Sequence, residues 1–496
     1  MKHTRRVLTT VAAIALVAGA APAAVHHRAA EDAQGLQTIA RIQPADEQVE
    51  VVAEASEPAD LDEIANAAAE SGAAGDAGDA GDTDETTADT TVVEAETVEV
   101  VEAQEVAEAP VVNGASVPDG DGQGLTNVVE TALQPEATGE DADNMPEAVT
   151  AQDAADSLGE VRELTAAPKD YNGEDQYWFS QIRRYRGGEA VEVYSQAMDR
   201  YIPVALIRAT DQEGKPVEDA PTYYLLNGAG GSEQNTDWIS QAATTVQDVL
   251  ENEPVNVVIP MEGAFSYYVD WLTKPEENKY FKGEQKWSTF LAHELRPSIE
   301  DYTKASDKRA VSGFSMAATS VLLLAEHNPD MFDAVGSFSG CAATSTPLPN
   351  FFVGLTVNRG SAGTGRVTPE NLWGPRGSEY NRYNDALVMA DNLKDSKTKF
   401  YVSAGTGLPG QTDMLGYLKE NQTSSVALQQ ALTLWVEGGA IEAAMNACTH
   451  DFNTKARSVG ADVYFNRRAV GTHSWPIWQD DLKVSWDKVI KPALLG

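Results

Sequence analysis

The chain has 496 residues and a formal net charge of −40 at pH 7. That length allows two or three domains, but the charge is very uneven: residues 31–160 hold 34 acidic residues against one basic residue, Arg41. An acidic surplus of this size argues against nucleic acid as a partner, because the phosphate backbone is itself negative.

The N-terminus carries the pattern of a secretory signal peptide. MKHTRR is basic, VLTTVAAIALVAGA is apolar, and APAA offers small residues for cleavage. We therefore predict a signal peptide over residues 1–24 and a protein that is secreted to the cell envelope. The later sequence has no apolar run of about 18 residues or more, so we expect no transmembrane segment. The signal region also has no Cys that could carry a lipid anchor.

Residues 25–165 form an acidic segment of low complexity. They are mostly Ala, Glu, Asp, Thr, Val and Gly, as in AGDAGDAGDTDETTADTT, and they include no Trp, Phe or Tyr. Such a composition cannot bury enough apolar surface to fold and predicts a disordered, self-repelling tether. Calcium binding by GDAGDAGDTD is the alternative, but the Asp-x-Asp-x-Asp-Gly and late Glu of a defined calcium loop are missing.

Residues 166–496 have the sequence pattern of a folded domain, in which short β-branched or aromatic runs alternate with amphipathic helical runs. In chain order, the predicted strands are YIPVALIRA, PTYYLLNG, VNVVIPM, KRAVSGF, AVGSFSG, KFYVSAG and ADVYFN. The predicted helices are WISQAATTVQDVLENE, WSTFLAHELRPSIEDY, MAATSVLLLAEHNP, NDALVMADNLKDS and VALQQALTLWVEGGAIEAAMNACTHDFNTKARSVG. This alternation predicts an α/β fold with a largely parallel sheet, helices on both faces, and ligands at the carboxyl ends of the strands.

The stretch AVSGFSMAATSVLLLAEHNP places Ser315 between a predicted strand and a predicted helix. Gly313 and Ala317 flank it at the G-x-S-x-[GA] spacing of a nucleophile elbow, whose strained turn needs small residues on both sides. At the start of the helix, the N–H of Met316 would point to where an oxyanion forms. The motif alone is a weak signal, because small residues are common and the last Gly is absent.

A serine nucleophile needs a base, and the chain has seven histidines. Six of them are poorly placed, since they lie in or beside the signal peptide or within predicted helices: His3, His26, His27, His293, His327 and His450. His473 lies in the Gly-containing loop AVGTHSW, just after the predicted strand ADVYFN and close to the C-terminus. A hydrolase-type fold carries its base there, so we predict His473 as the base; the alternative is an ordinary histidine in a surface loop.

The orienting acid should lie between serine and histidine along the chain. Glu437 and Glu442, both in WVEGGAIEAAMNACT, are the best placed, and at least one of them is an ordinary helical carboxylate. Spacing alone does not choose between them, and Asp385 and Asp451 are the next candidates.

Two cysteines, Cys341 and Cys448, complete the set of chemically distinctive residues. An even count in an exported protein favours a disulfide bond over two buried free thiols.

The segment from about Val191 to Leu495 resembles the mycolyltransferases of the antigen 85 family, especially its corynebacterial branch. The matching stretches follow the family's order: YLLNG, DWL, KWSTFLAHEL, GFSMAATSVLLLA, the SG of FSGC, LWGP, YNDALV and GTHSWPIW. The resemblance implies an α/β-hydrolase fold and a catalytic triad of Ser315, Glu442 and His473, with no metal or organic cofactor. Glu442 is preferred to Glu437 because its separation from His473 is nearly that of the family.

Further residues follow from the resemblance. It implies the N–H groups of Met316 and Ala229 as oxyanion donors, and it places Trp475 at a position that lines the family's trehalose pocket. Mycobacterial members have Asp-Gly-Leu-Arg where this chain has Asn227-Gly-Ala-Gly, so Asn227 stands where a sugar-contacting Asp would be. The acceptor is therefore left open. Cys341 and Cys448 suit the corynebacterial pattern.

The implied function is transfer of a mycoloyl group from trehalose monomycolate to a second trehalose monomycolate or to cell-wall arabinogalactan. The expected partners are thus trehalose mycolate lipids and cell-wall glycan acceptors. Two alternatives remain: an exported carboxylesterase on the same fold, and a non-catalytic surface-binding protein on an acidic stalk.

Overall fold

The computed structural model of the protein describes residues 156–362, 364–420 and 422–496, and its centre is a nine-stranded sheet. The order of strands is β1-β2-β3-β5-β4-β6-β7-β8-β9. The pairs β1–β2, β2–β3 and β3–β5 are antiparallel, and all pairs from β5 to β9 are parallel. The strands are β1 (Val161–Glu163), β2 (Gly188–Ser195), β3 (Arg200–Ile207), β4 (Thr222–Leu226), β5 (Asn256–Pro260), β6 (Arg309–Phe314), β7 (Ala334–Phe338), β8 (Lys399–Ala404) and β9 (Asp462–Arg467).

Helices connect the strands and cover both faces of the sheet. The α-helices are α1 (Tyr177–Gln181), α2 (Trp238–Gln241), α3 (Ala243–Leu250), α4 (Trp287–Thr289), α5 (Arg296–Thr303), α6 (Met316–His327), α7 (Pro347–Gly360), α8 (Pro369–Trp373), α9 (Glu379–Tyr383), α10 (Ala386–Met389), α11 (Leu415–Leu418), α12 (Ser424–Thr433), α13 (Gly439–Ser458), α14 (Trp475–Ser485) and α15 (Lys491–Leu495). Three π-helical turns, Phe290–Leu295, Leu434–Gly438 and Trp486–Ile490, join consecutive α-helices. Within the described ranges, no helix is both long and apolar enough to cross a bilayer.

The two faces of the sheet each have their own apolar core. Side chains alternate along a strand, so Val204 and Leu206 of β3 pack into one core while Ala205 and Ile207 pack into the other. Strands buried on both sides read as nearly continuous apolar runs. The seven predicted strands are all present, as β3 to β9. The fold is the predicted α/β-hydrolase fold.

The sequence analysis missed β1 and β2. The alternation of charged and apolar residues in β2 was not recognised, and β1 lies inside the predicted acidic segment. There, β1 pairs with β2 through Val161 and Val193, and Ser157 N–H donates to His293 O at 2.9 Å. Ordered structure therefore begins before the predicted domain start at residue 166. Residues 1–155, with the predicted signal peptide and most of the tether, lie outside the described residues.

Candidate active site

Ser315 lies in the turn between β6 and α6, at the carboxyl end of a central strand. Its backbone has φ 56° and ψ −121°, in the left-handed half of φ/ψ space that is strained for any residue with a side chain. The turn is held by Ser315 N–H, which donates to Phe338 O at 2.8 Å. A Cβ on Gly313 would lie 2.8 Å from Ala317 O and 2.9 Å from its Cβ. The two small residues are thus a steric requirement of this elbow.

His473 connects Ser315 to Glu442. Its Nε2 lies 2.8 Å from Ser315 Oγ, and its Nδ1 lies 2.7 Å from Glu442 Oε2. Since a carboxylate only accepts hydrogen bonds, we assign the ring hydrogen to Nδ1, which leaves Nε2 to accept the Ser315 hydrogen. Three residues that are far apart in sequence thus form one line of hydrogen bonds, the geometry in which a histidine can take a proton from serine.

Glu442 is fully buried, and both of its oxygens are held in place. Oε1 accepts from Ser339 Oγ–H at 2.8 Å and from Gly405 N–H at 2.6 Å, while Oε2 faces His473. These donors follow β7 and β8, so the carboxyl ends of neighbouring strands converge on the carboxylate. A buried carboxylate requires such partners. The sequence analysis assigned no role to Gly405 or to Ser339, although Ser339 is the first residue of the SG in FSGC.

The competing carboxylates lie elsewhere. Glu437 is 31% exposed and pairs with Arg359 at 3.5 Å. Asp385 accepts from the N–H groups of Leu387 and Val388 and so caps α10. Glu437 lies in the π-helical turn Leu434–Gly438 and Glu442 in the following α-helix α13, and the Glu437 side chain is partly exposed while that of Glu442 is buried.

Other histidines are engaged away from the serine. His293 Nδ1 lies 3.1 Å from Asp156 Oδ1, and His327 Nε2 lies 2.8 Å from Tyr383 O. Burial lowers the pKa of His327 to about 4. Of the described histidines, His473 is the one that meets the serine. His3, His26 and His27 lie outside the described residues.

The two predicted oxyanion donors lie on either side of the elbow. Met316 is the first residue of α6, where backbone N–H groups have no partner within the helix. Ala229 follows Gly228, on which a Cβ would lie 2.4 Å from the Phe314 ring. The loop that carries Ala229 therefore passes directly beside the serine turn. The donor roles of both residues stay predictions.

One strained loop contacts both of these residues. Phe265 N–H donates to Ala229 O at 2.8 Å, and Tyr267 N–H donates to Met316 Sδ at 3.2 Å. Phe265 and Tyr267 both have positive φ, 61° and 56°, a conformation that costs about 1–3 kcal/mol per residue and tends to occur at functional sites. The loop appears in no sequence motif that we recognised.

A buried carboxylate, Glu233, anchors the start of that loop. Its Oε1 accepts from the N–H groups of Gly263 and Ala264, at 2.9 and 3.1 Å. Burial, together with the neighbouring Glu262, raises the pKa of Glu233 to about 7. The loop that contacts Ala229 and Met316 is thus held by Glu233, a carboxyl group whose pKa lies near 7.

Asn227 lies inside the protein. The side chain is fully buried; its Nδ2 donates to Pro260 O at 3.0 Å, and its Oδ1 accepts from Trp238 N–H at 3.1 Å. Its amide therefore binds the protein interior and fastens the end of β4 to β5 and α2. The predicted contact of Asn227 with substrate stays a prediction.

Trp475 packs in an aromatic cluster behind the serine turn. Its ring centroid lies 4.7 Å from that of Phe314, 5.6 Å from Trp238 and 5.5 Å from Trp478. The Trp478 ring in turn meets the His473 ring edge to face at 5.0 Å. Trp475 thus stiffens both the elbow and the histidine loop, and its contact with a sugar stays a prediction.

The structure contains the Cys341–Cys448 disulfide. Cys341 lies two residues after Ser339, and Cys448 lies in α13, the helix that carries Glu442. The bond therefore ties the loop after β7 to the helix that it contacts through Ser339 and Glu442.

We expect loss of this bond to lower stability strongly. The bond closes a separation of 107 residues, for which the chain-entropy treatment gives about 4–5 kcal/mol. The double variant Cys341→Ser/Cys448→Ser should lose about that free energy of unfolding in urea titrations, and reduced wild type should match it. Two titratable thiols on denatured, unreduced protein would contradict the prediction.

Comparison with known proteins agrees with this geometry. The Esterase family model matches residues 195–486, more than half of the chain. The diacylglycerol acyltransferase/mycolyltransferase Ag85B of Mycobacterium leprae is 29% identical over 295 residues, which cover 58% of this chain and 79% of that protein. Ag85C of the same organism is 28% identical over 263 residues, covering 52% of this chain and 71% of that protein.

A solved structure, that of Mycobacterium tuberculosis MPT51, aligns with 62% of this chain and 98% of its own at 22% identity and a TM-score of 0.44. The family match spans the elbow, the acid and the base together. The chain therefore belongs to the Esterase family and is similar to the antigen 85 mycolyltransferases.

Proposed function

We propose that this protein transfers a mycoloyl group from trehalose monomycolate to a second trehalose monomycolate or to cell-wall arabinogalactan, through an acyl-enzyme on Ser315. The observation that carries the proposal is the hydrogen-bonded line of Ser315, His473 and Glu442. The acyl group is inferred from the names of the relatives, which are called diacylglycerol acyltransferases/mycolyltransferases.

The first half of the reaction forms the acyl-enzyme. Ser315 Oγ attacks the ester carbonyl of the donor while His473 Nε2 takes its proton, and Glu442 accepts the hydrogen bond from the imidazolium. The N–H groups of Met316 and Ala229 would hold the negative oxygen of the tetrahedral intermediate. His473 then gives its proton to the departing trehalose oxygen, and the mycoloyl group stays on Ser315 as an ester.

The second half repeats these steps in reverse with a new alcohol. A hydroxyl of the acceptor loses its proton to His473 Nε2 and attacks the seryl ester. The intermediate collapses, the proton returns to Ser315 Oγ, and a new mycoloyl ester leaves. Transfer exceeds hydrolysis only where the acceptor is held close enough for its effective concentration to exceed that of water.

Product analysis tests the proposal. Purified protein given trehalose monomycolate should form trehalose dimycolate and free trehalose, and Ser315→Ala should form neither. Free mycolic acid without any transfer product would indicate a plain carboxylesterase. Absence of turnover together with absence of probe labelling would indicate a non-catalytic surface-binding protein.

We also propose that the acidic segment is a tether of an exported enzyme and contributes nothing to chemistry. Its composition includes no aromatic residue and too little apolar content to pack on the domain. Since Asp156 already contacts His293 and Arg296, the deletion should end before it. Removing residues 31–155 should leave turnover of a soluble ester unchanged within about twofold, a barrier change below about 0.5 kcal/mol. A larger loss would mean that the segment folds against the site.

A further inference from the structure

We infer that Asp413 is a positioning residue for His473, a role that rests on the proposed function because His473 is the base in that reaction. Asp413 ends a single 3₁₀ turn, Gln411–Asp413, in the connection that follows β8. It is fully buried, yet within the described part of the chain no Lys, Arg or His forms an ion pair with it. Its partners are instead neutral groups of the histidine loop and of its own turn.

The contacts of Asp413 bracket the catalytic histidine on both sides. Asp413 Oδ2 accepts from Thr472 N–H at 3.3 Å, and Asp413 Oδ1 accepts from Ser474 Oγ–H at 3.2 Å. Oδ2 also accepts from Gly410 N–H at 2.8 Å. One buried carboxylate thus holds the residue before His473, the residue after it, and the neighbouring loop.

The main chain of Asp413 reaches a second element of the same site. Its carbonyl accepts from Trp435 Nε1–H at 2.8 Å, and Trp435 lies in the π-helical turn Leu434–Gly438. Gly438 O in turn accepts from His473 N–H at 3.0 Å. Asp413 therefore links the histidine loop to the π-helical turn that receives the histidine's own backbone.

The loop that carries His473 needs such support because its sequence allows the backbone several conformations. Gly471, with φ 131°, begins the run that contains His473, and glycine leaves the backbone many alternatives. His473 must keep two contacts at once, 2.8 Å to Ser315 Oγ and 2.7 Å to Glu442 Oε2. A displacement of about 1 Å can lower a rate about 10²-fold. Asp413 restricts that freedom without touching substrate.

Two substitutions at Asp413 separate positioning from charge. Asp413→Ala removes all three side-chain contacts. Asp413→Asn can keep them, since its Oδ1 can accept from the Thr472 and Gly410 N–H groups while its Nδ2 donates to Ser474 Oγ. We expect kcat for a soluble ester to fall about 10²-fold in Asp413→Ala with KM nearly unchanged, and to stay within about threefold of wild type in Asp413→Asn.

Asp385→Ala is the matched control. Asp385 is equally buried and also accepts three N–H groups, from Ser345, Leu387 and Val388, but it does not contact the histidine loop. It should lower the melting temperature and leave kcat of the folded fraction unchanged. The downfield proton resonance of the His473–Glu442 hydrogen bond, a signature that stability alone would not remove, should persist in Asp385→Ala and vanish in Asp413→Ala.

Retention of that resonance and of kcat in Asp413→Ala would overturn the inference, as would an equal loss of kcat in folded Asp385→Ala. If Asp413→Ala does not fold, Ser474→Ala tests the role instead, because it removes one contact of Asp413. We expect kcat to fall about threefold to tenfold in Ser474→Ala. Wild-type kcat together with a wild-type resonance would overturn the positioning role of Asp413. Because the substrate is a simple ester, absence of mycoloyl transfer would refute the proposed transferase function and leave this test intact. Full activity of Ser315→Ala would refute both.

Discussion

Ser315→Ala is expected to abolish labelling by a fluorophosphonate probe and to lower kcat for ester hydrolysis by about 10⁶-fold, as loss of the nucleophile does in other serine triads. Among the described residues, Ser315 Oγ is the hydroxyl that meets His473 Nε2, at 2.8 Å, and no other described hydroxyl is placed to replace it. Labelling is measured on the intact protein by mass, and kcat with a soluble chromogenic ester.

Two further variants complete this test. His473→Ala should also label poorly, because serine without its base is a weak nucleophile at neutral pH. Ser337→Ala is a matched control: Ser337 is a buried serine whose hydroxyl donates to Ala318 O at 2.9 Å, away from the histidine. It should label like wild type. Labelling that survives Ser315→Ala would refute the assigned nucleophile.

Glu442→Gln should lower kcat by about 10⁴-fold, the loss seen when a triad acid becomes its amide. Three donors converge on the Glu442 carboxylate, from His473, Ser339 and Gly405. An amide has a single acceptor oxygen, so its NH₂ group must face either the histidine or the other two donors. If it faces Nδ1, that nitrogen must become the acceptor, and Nε2 then carries the hydrogen and no longer serves as the base.

Glu437→Gln is the paired control for that variant. Its carboxylate is partly exposed and pairs with Arg359, an interaction of a kind that contributes little, so kcat should stay within about twofold of wild type. Both variants need a melting curve, because Glu442 is buried and its substitution can also affect folding. The reverse pattern, with loss in Glu437→Gln alone, would assign the acid to Glu437 and contradict the structure.

Much of this site follows from short stretches of sequence. The elbow could be predicted because its requirement is local: Gly313 and Ala317 are close to each other through the turn itself, whatever the rest of the chain does. The strands β3 to β8 could be predicted because burial on both faces makes each a compact apolar run, whereas the edge strand β9 is partly exposed and was predicted from its β-branched and aromatic residues. His473 could be predicted because the chain has seven histidines, and the other six lie in or beside the predicted signal peptide or within predicted helices.

The triad acid could not be predicted from local sequence patterns. Glu437 and Glu442 share one helical stretch, and their spacing to His473 differs by only five residues, so the sequence left both open until the resemblance was used. Glu442 meets His473 because Ser339 and Gly405, at the ends of two other strands, form the polar site that accepts a buried carboxylate. That environment exists only when three segments distant in sequence are packed together.

The sequence by itself indicated the candidate nucleophile, the candidate base, the family and the order of most elements, since each depends on a local pattern or on a stretch of matched residues. Tertiary structure alone showed that the Asn227 side chain is buried, which groups hold Glu442 beside the histidine, and that Asp413 contacts the residues on both sides of His473. The physical reason is that a hydrogen bond between distant loops depends on how the strands beneath them pack. The neighbouring residues in the sequence look the same whether a carboxylate or an amide side chain lies in solvent or in the interior.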